Sequence, residues 1–215
     1  MKTILVSGSD TAVGKTWVVG SLAARFSCDD RRIQLVKPVE SGAIAPDAEV
    51  AAARGVRERI EHFTLRSFPE PIAPVTAAER AGSKIDFAEL VKETTGLPRC
   101  DVRIVEGAGS IATPIDAEGR DWTDFGKCIE ASYTVLVIDY KLGAIGQSRL
   151  SYEYASSRGL ECGIWLNQTA QQDALVLDST LAGLEDSSMP LWCVQGFGET
   201  DARWLDFPEI IEDGR

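Results

Sequence analysis

"LVSGSDTAVGKT", Leu5 to Thr16, decides how the rest of the chain is read. A phosphate-binding loop usually follows G-x-x-x-x-G-K-[ST], with four residues between its glycines. Here five residues separate Gly8 from Gly14, and Ser9 stands where the first glycine would fall. The apolar run "TILVS" precedes the loop, and Gly14-Lys15-Thr16 opens a helical pattern. A strand, a glycine loop and a helix start present unpaired backbone N–H groups to phosphate. Lys15 then supplies a point charge to the outer phosphates and the Thr16 hydroxyl a ligand for Mg²⁺. A bare "GKT" also serves as a plain helix start, but its place between a strand and a helix favours phosphate.

Outward from the loop, short β-rich runs alternate with longer helical patterns. Strands are expected at Thr3–Ser7, Ile33–Lys37, Phe63–Ser67, Val102–Glu106, Tyr133–Asp139, Gly163–Asn167 and Leu191–Gly196. Helices are expected at Thr16–Phe26, Asp47–Arg54, Phe87–Thr95, Thr123–Ala131, Ala144–Ser157 and Asp173–Leu184. Runs such as "YTVLVID" are apolar at consecutive positions, as in strands covered on both faces. This alternation predicts one α/β domain over residues 1–215, a doubly wound and mostly parallel sheet of about seven strands with helices on both faces. "SFPEPIAP" reads as a loop inside that domain. In such a sheet ligands gather at the carboxyl ends of the strands. Those ends carry the glycine loop, "KPVESG", "EGAGS", "DYKLGAIGQ" and "NQTAQ".

The bulk numbers exclude several classes. A net charge of −11 disfavours nucleic acid or an anionic membrane as a partner. No apolar run reaches the roughly 20 residues of a membrane helix, and "MKTILVSG" is too short for a secretory leader, so a cytoplasmic protein is expected. Cys28, Cys100, Cys128, Cys162 and Cys193 are scattered, an odd set with no C-x-x-C pair, and read as buried thiols. His62 is the single histidine, so a triad or multi-histidine metal site is not expected. Chemistry must come from lysines, carboxylates, hydroxyls and backbone amides.

Three positions suit that chemistry. Glu106 closes "VRIVE" and is placed to hold a phosphate-bridging metal, while Gly107 and Gly109 would let backbone amides approach an anion. Asp47 opens "DAEVAAAR" and is an N-cap by default, or a second metal-side carboxylate if the helix folds over the phosphates. Lys37 precedes Pro38, so its backbone is extended, and it adds a second cation beside Lys15.

Together these motifs resemble the dethiobiotin synthetase family, whose loop typically reads G-[ST]-D-T-x-V-G-K-T with the extra residue. "KPVESG", "VEGAGS", "PIAPVTAA" and "KLGAIGQSRLSYEYASSRGL" extend the likeness from Met1 to about Gln168. The resemblance implies a P-loop NTPase-like fold and an ATP- and Mg²⁺-dependent reaction of 7,8-diaminononanoate with CO₂ or bicarbonate. That ring closure belongs to biotin biosynthesis. It also implies a homodimer whose diamine pocket borrows residues from the partner, with no nucleic acid or membrane contact. By position, Gly8, Asp10, Thr11, Val13, Gly14, Lys15 and Thr16 would form the nucleotide loop, with Glu106, Gly107 and Gly109 beside it. Thr11, Lys15 and Thr16 would hold phosphates, with Thr11, Lys15, Lys37 and Ser41 as the catalytic set, Lys37 and Ser41 contacting the carbamate and the γ-phosphate. Thr16, Asp47 and Glu106 would hold Mg²⁺, and Asn167 would meet the nucleobase.

Departures from the family pattern cluster around the substrate tail and the base. Ala12 stands at a usual glutamate, Val75 at a histidine, Ser110 at a glycine, and Gly146–Gln147 at an Asn-His pair. The C-terminal nucleobase loop is not visible, and Trp192 and Trp204 either rebuild a base pocket or pack in the core. Two other readings stay open: a paralogue applying the same phosphoryl chemistry to another substrate, and a partitioning-type ATPase switch. The latter usually carries a further lysine early in the loop, where this chain has Asp10.

Overall fold

A computed structural model describes residues 1–27, 31–42, 44–55 and 57–209; Cys28 lies outside the described residues. The first half of the chain runs β1 (Lys2–Gly8), α1 (Lys15–Ser27), β2 (Ile33–Ser41), α2 (Asp47–Ala52), β3 (Ile60–Phe68), α3 (Pro74–Arg80), α4 (Phe87–Gly96) and β4 (Val102–Glu106). The second half runs α5 (Trp122–Cys128), β5 (Tyr133–Asp139), α6 (Ala144–Ser156), β6 (Cys162–Asn167), α7 (Ala174–Glu185), β7 (Leu191–Gln195) and β8 (Arg203–Trp204). The strands form one sheet in the order β3-β2-β4-β1-β5-β6-β7-β8. Every pair is parallel except β7 with β8.

Alternation along each central strand divides the apolar side chains between two cores. Leu5, Val105, Leu136 and Ile138 face one layer with Trp122 and Phe125. Ile4, Val6, Ile104, Val135 and Val137 face the other with Val18 and Leu22 of α1. Burial on both faces is why these strands read as continuous apolar runs rather than alternating ones. β1 sits between β4 and β5, while the chain leaves it for β2 beyond β4. That reversal of direction opens a crevice at the carboxyl ends of β1, β4 and β2, where the glycine loop lies.

Four expectations are corrected. The sheet has eight strands, because Arg203–Trp204 adds an antiparallel edge too short to show periodicity. β2 runs four residues past Lys37, to Ser41. Pro38 is tolerated because β4 pairs β2 only as far as Val36, leaving a neighbour on one side. The proline-rich segment ends in a helix, α3, with Pro74 in its first turn, where a missing N–H costs nothing. Cys128 is exposed, whereas Cys100, Cys162 and Cys193 are buried as free thiols. His62 is exposed on β3.

The edge beyond β6 is closed by aromatic packing. Trp165 and Trp192 are buried, and Trp204 and Phe207 meet them edge-on at 5.3 Å between ring centroids. Trp192 is therefore a core residue, and Trp204 is a half-buried side chain packed against that core. A Cβ on Gly163 would lie 2.2 Å from the Trp192 ring, so only glycine leaves room there. Gly163→Ala is expected to destabilise the fold by ~2 kcal/mol through overpacking, read from denaturant unfolding. An unchanged midpoint would show that the aromatic wall adjusts freely.

Candidate functional site

The glycine loop is braced from three sides. The Ser9 N–H donates to the Val137 carbonyl of β5 at 3.0 Å, and the Ile111 N–H donates to the Gly8 carbonyl at 2.8 Å. From β6, Asn167 Nδ2 donates to the Val13 carbonyl at 2.9 Å. Ala12 and Gly14 both have positive φ, 60° and 88°, with Val13 between them. Such alternation of backbone hand makes the concave nest of N–H groups that anions occupy. Gly14 is constrained twice, since a Cβ there would also fall 2.1 Å from Asn167 Nδ2. The extra residue is thus taken up by a left-handed turn at Ala12. Asp10 shapes the same turn, its carboxylate accepting the Thr11 N–H at 2.7 Å.

Two lysines reach the crevice from adjacent elements. Lys15 heads α1, and its Nζ donates to the Asp10 carbonyl at 2.8 Å. Burial, then the positive charge of Lys37, lowers its pKa to about 8. Lys37 is almost wholly enclosed, with Nζ 2.6 Å from Glu106 Oε1 and 2.7 Å from Asp47 Oδ2. It also donates to the Gly107 carbonyl at 3.3 Å. Burial by itself pulls the Lys37 pKa down, but the Glu106 and Asp47 carboxylates outweigh it and hold the ammonium above the ordinary lysine value. Both lysines line one cavity of about 570 Å³, together with Thr11, Thr16, Ser41 and Gly109.

Thr16, Asp47 and Glu106 converge around Lys37. Thr16 Oγ1 donates to Glu106 Oε1 at 2.8 Å, and Glu106 Oε2 is buried without a hydrogen-bond partner. Hydroxyl and carboxylate oxygens are the donors Mg²⁺ takes, and an orphaned buried carboxylate oxygen is a free ligand position. Among the described residues no group of three His, Cys, Asp or Glu could hold a metal. The protein therefore fits a Mg²⁺ that draws its remaining ligands from phosphate and water, the usual habit of that ion.

Several side chains occupy places other than those read from the sequence. Asp47 is the first residue of α2 rather than its cap, which is Pro46. The Gly107 N–H donates to the Val6 carbonyl at 2.9 Å and is not free for an anion. Gly107 is glycine because a Cβ would strike the Trp122 ring at 2.9 Å. Gly109 lines the cavity with φ 69°. Ser41 donates to the Ile72 carbonyl at 2.7 Å and ties the 69–73 segment to the cavity wall. Asn167 is buried, with Oδ1 lacking a protein partner. Gln147 of α6 accepts a hydrogen bond from Ser9 at 3.2 Å, while Val75 is half-buried and Gly146 exposed.

Two residues were not singled out by sequence. Glu40 and Thr113 also line the cavity. Thr113 Oγ1 accepts the Ser110 N–H at 2.8 Å and shapes the turn after β4. Thr113 lies outside the quoted motifs, and Glu40 falls at the variable position of "KPVESG", where the motif asks for no particular residue.

Comparison with known proteins is consistent with this geometry. A family model described as an AAA domain matches residues 2–189. ATP-dependent dethiobiotin synthetase BioD from Rhodococcus jostii is 32% identical over 225 residues, covering 96% of this chain and 95% of the relative. The chain belongs to the ATP-dependent dethiobiotin synthetase family. The enzymes of that name from Streptomyces coelicolor and Legionella pneumophila are 32% and 29% identical, over 87% and 86% of the chain and 80% and 88% of their own lengths. Solved structures extend the fold further. The signal recognition particle receptor FtsY from Elizabethkingia anophelis aligns with a TM-score of 0.61 at 16% identity, over 96% of this chain. The chain spans only 62% of that receptor's length. A putative plasmid partition protein from Borrelia burgdorferi, bound to AMPPNP, aligns at 0.57 and 12% identity, over 92% of this chain and 87% of that one. These structures speak to the P-loop NTPase fold alone. Among the described residues, no helix is long and apolar enough to cross a membrane.

With its pKa lowered by burial and by Lys37, Lys15 is the loop group whose charge a bound phosphate would change. A bound phosphate favours the ammonium form, so nucleotide should raise the Lys15 pKa from about 8 and take up a proton. Affinity for ATP is then expected to fall as pH rises above 8. Calorimetry at pH 8.5 in buffers of different ionisation enthalpy should show net uptake, absent in Lys15→Arg. No uptake in the unaltered protein would mean that Lys15 stays charged throughout.

Proposed function

We propose that this member of the family is a cytoplasmic homodimer closing 7,8-diaminononanoate with CO₂ to dethiobiotin, using ATP and Mg²⁺. The observation that carries the reading is the Lys37 ammonium held between Glu106 and Asp47, in the cavity that also receives Lys15 and the glycine loop. Among the described residues no histidine or thiol lines that cavity, and the proposed reaction needs no nucleophile from the protein.

In the proposed reaction one amine of the substrate takes up CO₂ and loses a proton to give a carbamate. A carbamate oxygen attacks the γ-phosphorus as the bond to ADP breaks. The second amine then attacks the carbonyl carbon of the mixed anhydride. Phosphate leaves with the carbon–oxygen bond electrons, and the amine proton is lost as the cyclic urea forms. The chain's contribution is placement and charge. Lys37 enters as a permanent cation, suited to a carbamate and to the phosphoryl oxygens as negative charge develops on them. Lys15 neutralises the outer phosphates, and the concave loop offers Thr11 and its backbone amides. Ser41 keeps acceptor capacity on Oγ for a substrate N–H while its proton is directed at Ile72. Thr16, Asp47 and Glu106 would hold Mg²⁺, which when bound neutralises charge on the phosphates. Asn167 Oδ1 would accept from an exocyclic amine of the base.

Phosphate release from Mg-ATP should require both diaminononanoate and bicarbonate, with dethiobiotin detected by mass spectrometry. Lys37→Ala is expected to cut kcat by about 10²–10³, the usual loss for one preorganised electrostatic contact. Release of phosphate that ignores the diamine would sink this reading and favour a nucleotide switch or another substrate.

A further inference from the structure

We propose that Glu40 is the group that recognises the substrate's amine, an inference that rests on the ring closure above and assigns one of its specificity determinants. Glu40 lies near the carboxyl end of β2, is only 3% exposed, and lines the same cavity as the two lysines. Its carboxylate accepts from Ser67 Oγ at 3.1 Å on Oε1 and from the Asp47 N–H at 3.2 Å on Oε2. Neither donor is a cation. Among the described residues no Lys or Arg forms an ion pair with Glu40, since Lys37 is shared by Glu106 and Asp47 and Lys15 turns to the Asp10 carbonyl. A carboxylate offers about four lone-pair sites, so two acceptor positions remain.

An enclosed carboxylate without a cation is costly unless something else compensates it. The sheet order shows where compensation enters. β3 and β2 are the strands farthest from β5 on this side, and Ser67 of β3 pairs directly with Glu40. Glu40 therefore sits on the flank of the cavity away from the glycine loop. That flank is finished by Pro71, Ile72 and Pro74, which are apolar or present only hydrocarbon. The cavity has a cationic end for phosphates and an anionic, hydrocarbon-lined end. The anionic end repels phosphate and carboxylate groups and fits an alkyl-ammonium followed by methylenes. The geometry thus orients a diamine with one amine toward Lys37 and the loop and the other at Glu40.

The test compares the full-length unaltered protein with Glu40→Gln, Glu40→Asp and Glu40→Ala, measuring KM for diaminononanoate and for ATP. Glutamine retains an acceptor for Ser67 or the Asp47 N–H, and thermal unfolding checks that each variant folds. Glu40→Gln should raise the diamine KM about tenfold or more, the size of a lost charge-assisted hydrogen bond, with the ATP KM within about twofold of normal. Glu40→Asp, which keeps the charge, should recover part of that loss. A diamine KM untouched by Glu40→Gln overturns the inference alone. So does an ATP KM that rises in step with the diamine KM, because Glu40 would then act as a tether for α2. An unaltered protein with no affinity for the diamine overturns the ring-closure reading and this inference together.

Discussion

The buried contact of Lys37 with Glu106 and Asp47 is the constraint on which the site depends. It joins β2, β4 and the first residue of α2 through one nitrogen, with both carboxylate oxygens within 2.7 Å. Taking an ammonium out of water is unfavourable, and only the two carboxylates keep it charged. Loss of one partner from such a contact typically costs about 3–5 kcal/mol, because the other charge is left enclosed and unpaired. The arrangement is also overfilled with acceptors, since Glu106 Oε2 remains without a donor. The cluster ties three elements together around the cavity and, among the described residues, leaves one carboxylate oxygen, Glu106 Oε2, without a partner.

The glycine loop obeys a related logic. Its length exceeds the common pattern by one residue, and the excess is absorbed where Ala12 adopts a left-handed backbone. A left-handed alanine carries a steric cost of about 1 kcal/mol or more, so neighbouring contacts must hold it. Asn167 supplies one of them through the Val13 carbonyl, and Gly14 leaves space for that amide. The residue expected at the nucleobase is thereby also part of the loop's frame. If Asn167 meets the base as proposed, base and phosphate would share one support.

Much of this was legible because it rests on short-range pattern. The β-rich runs "TILVS" and "YTVLVID" mark strands buried on both faces, and β1, β4 and β5 fall within a residue of their expected limits. The convergence of Lys15, Lys37, Thr16, Asp47 and Glu106 follows from parallel strands whose carboxyl ends share one edge. Other features depend on partners distant in sequence. Gly107 reads like a glycine for anion approach, yet its reason is the Trp122 ring, fifteen positions later and on another element. Trp192 reads equally well as a base-stacking group until Gly163, Tyr133 and Phe207 surround it. Glu40 sits at the variable position of "KPVESG", and its lack of a cation becomes visible only once the cavity is assembled. α3 is obscured because its proline-rich entry has the composition of a turn.

The two lysines divide one electrostatic task. With a net charge of −11, the protein as a whole offers a nucleotide no long-range attraction, so affinity must arise within the cavity, where screening is weak. Lys37, enclosed with two carboxylates, is a cation whether or not ligand is present. Lys15, enclosed beside another cation and, among the described residues, bonded to the Asp10 carbonyl, has its charge weakened in the free protein. The second condition follows from the first, because a permanently charged Lys37 is one of the causes that depress its neighbour. A triphosphate bound at this loop would relieve that repulsion and favour the Lys15 ammonium. The site would then gain positive charge as it receives negative charge, while in the free protein the weakened Lys15 charge limits the cost of holding two enclosed cations together.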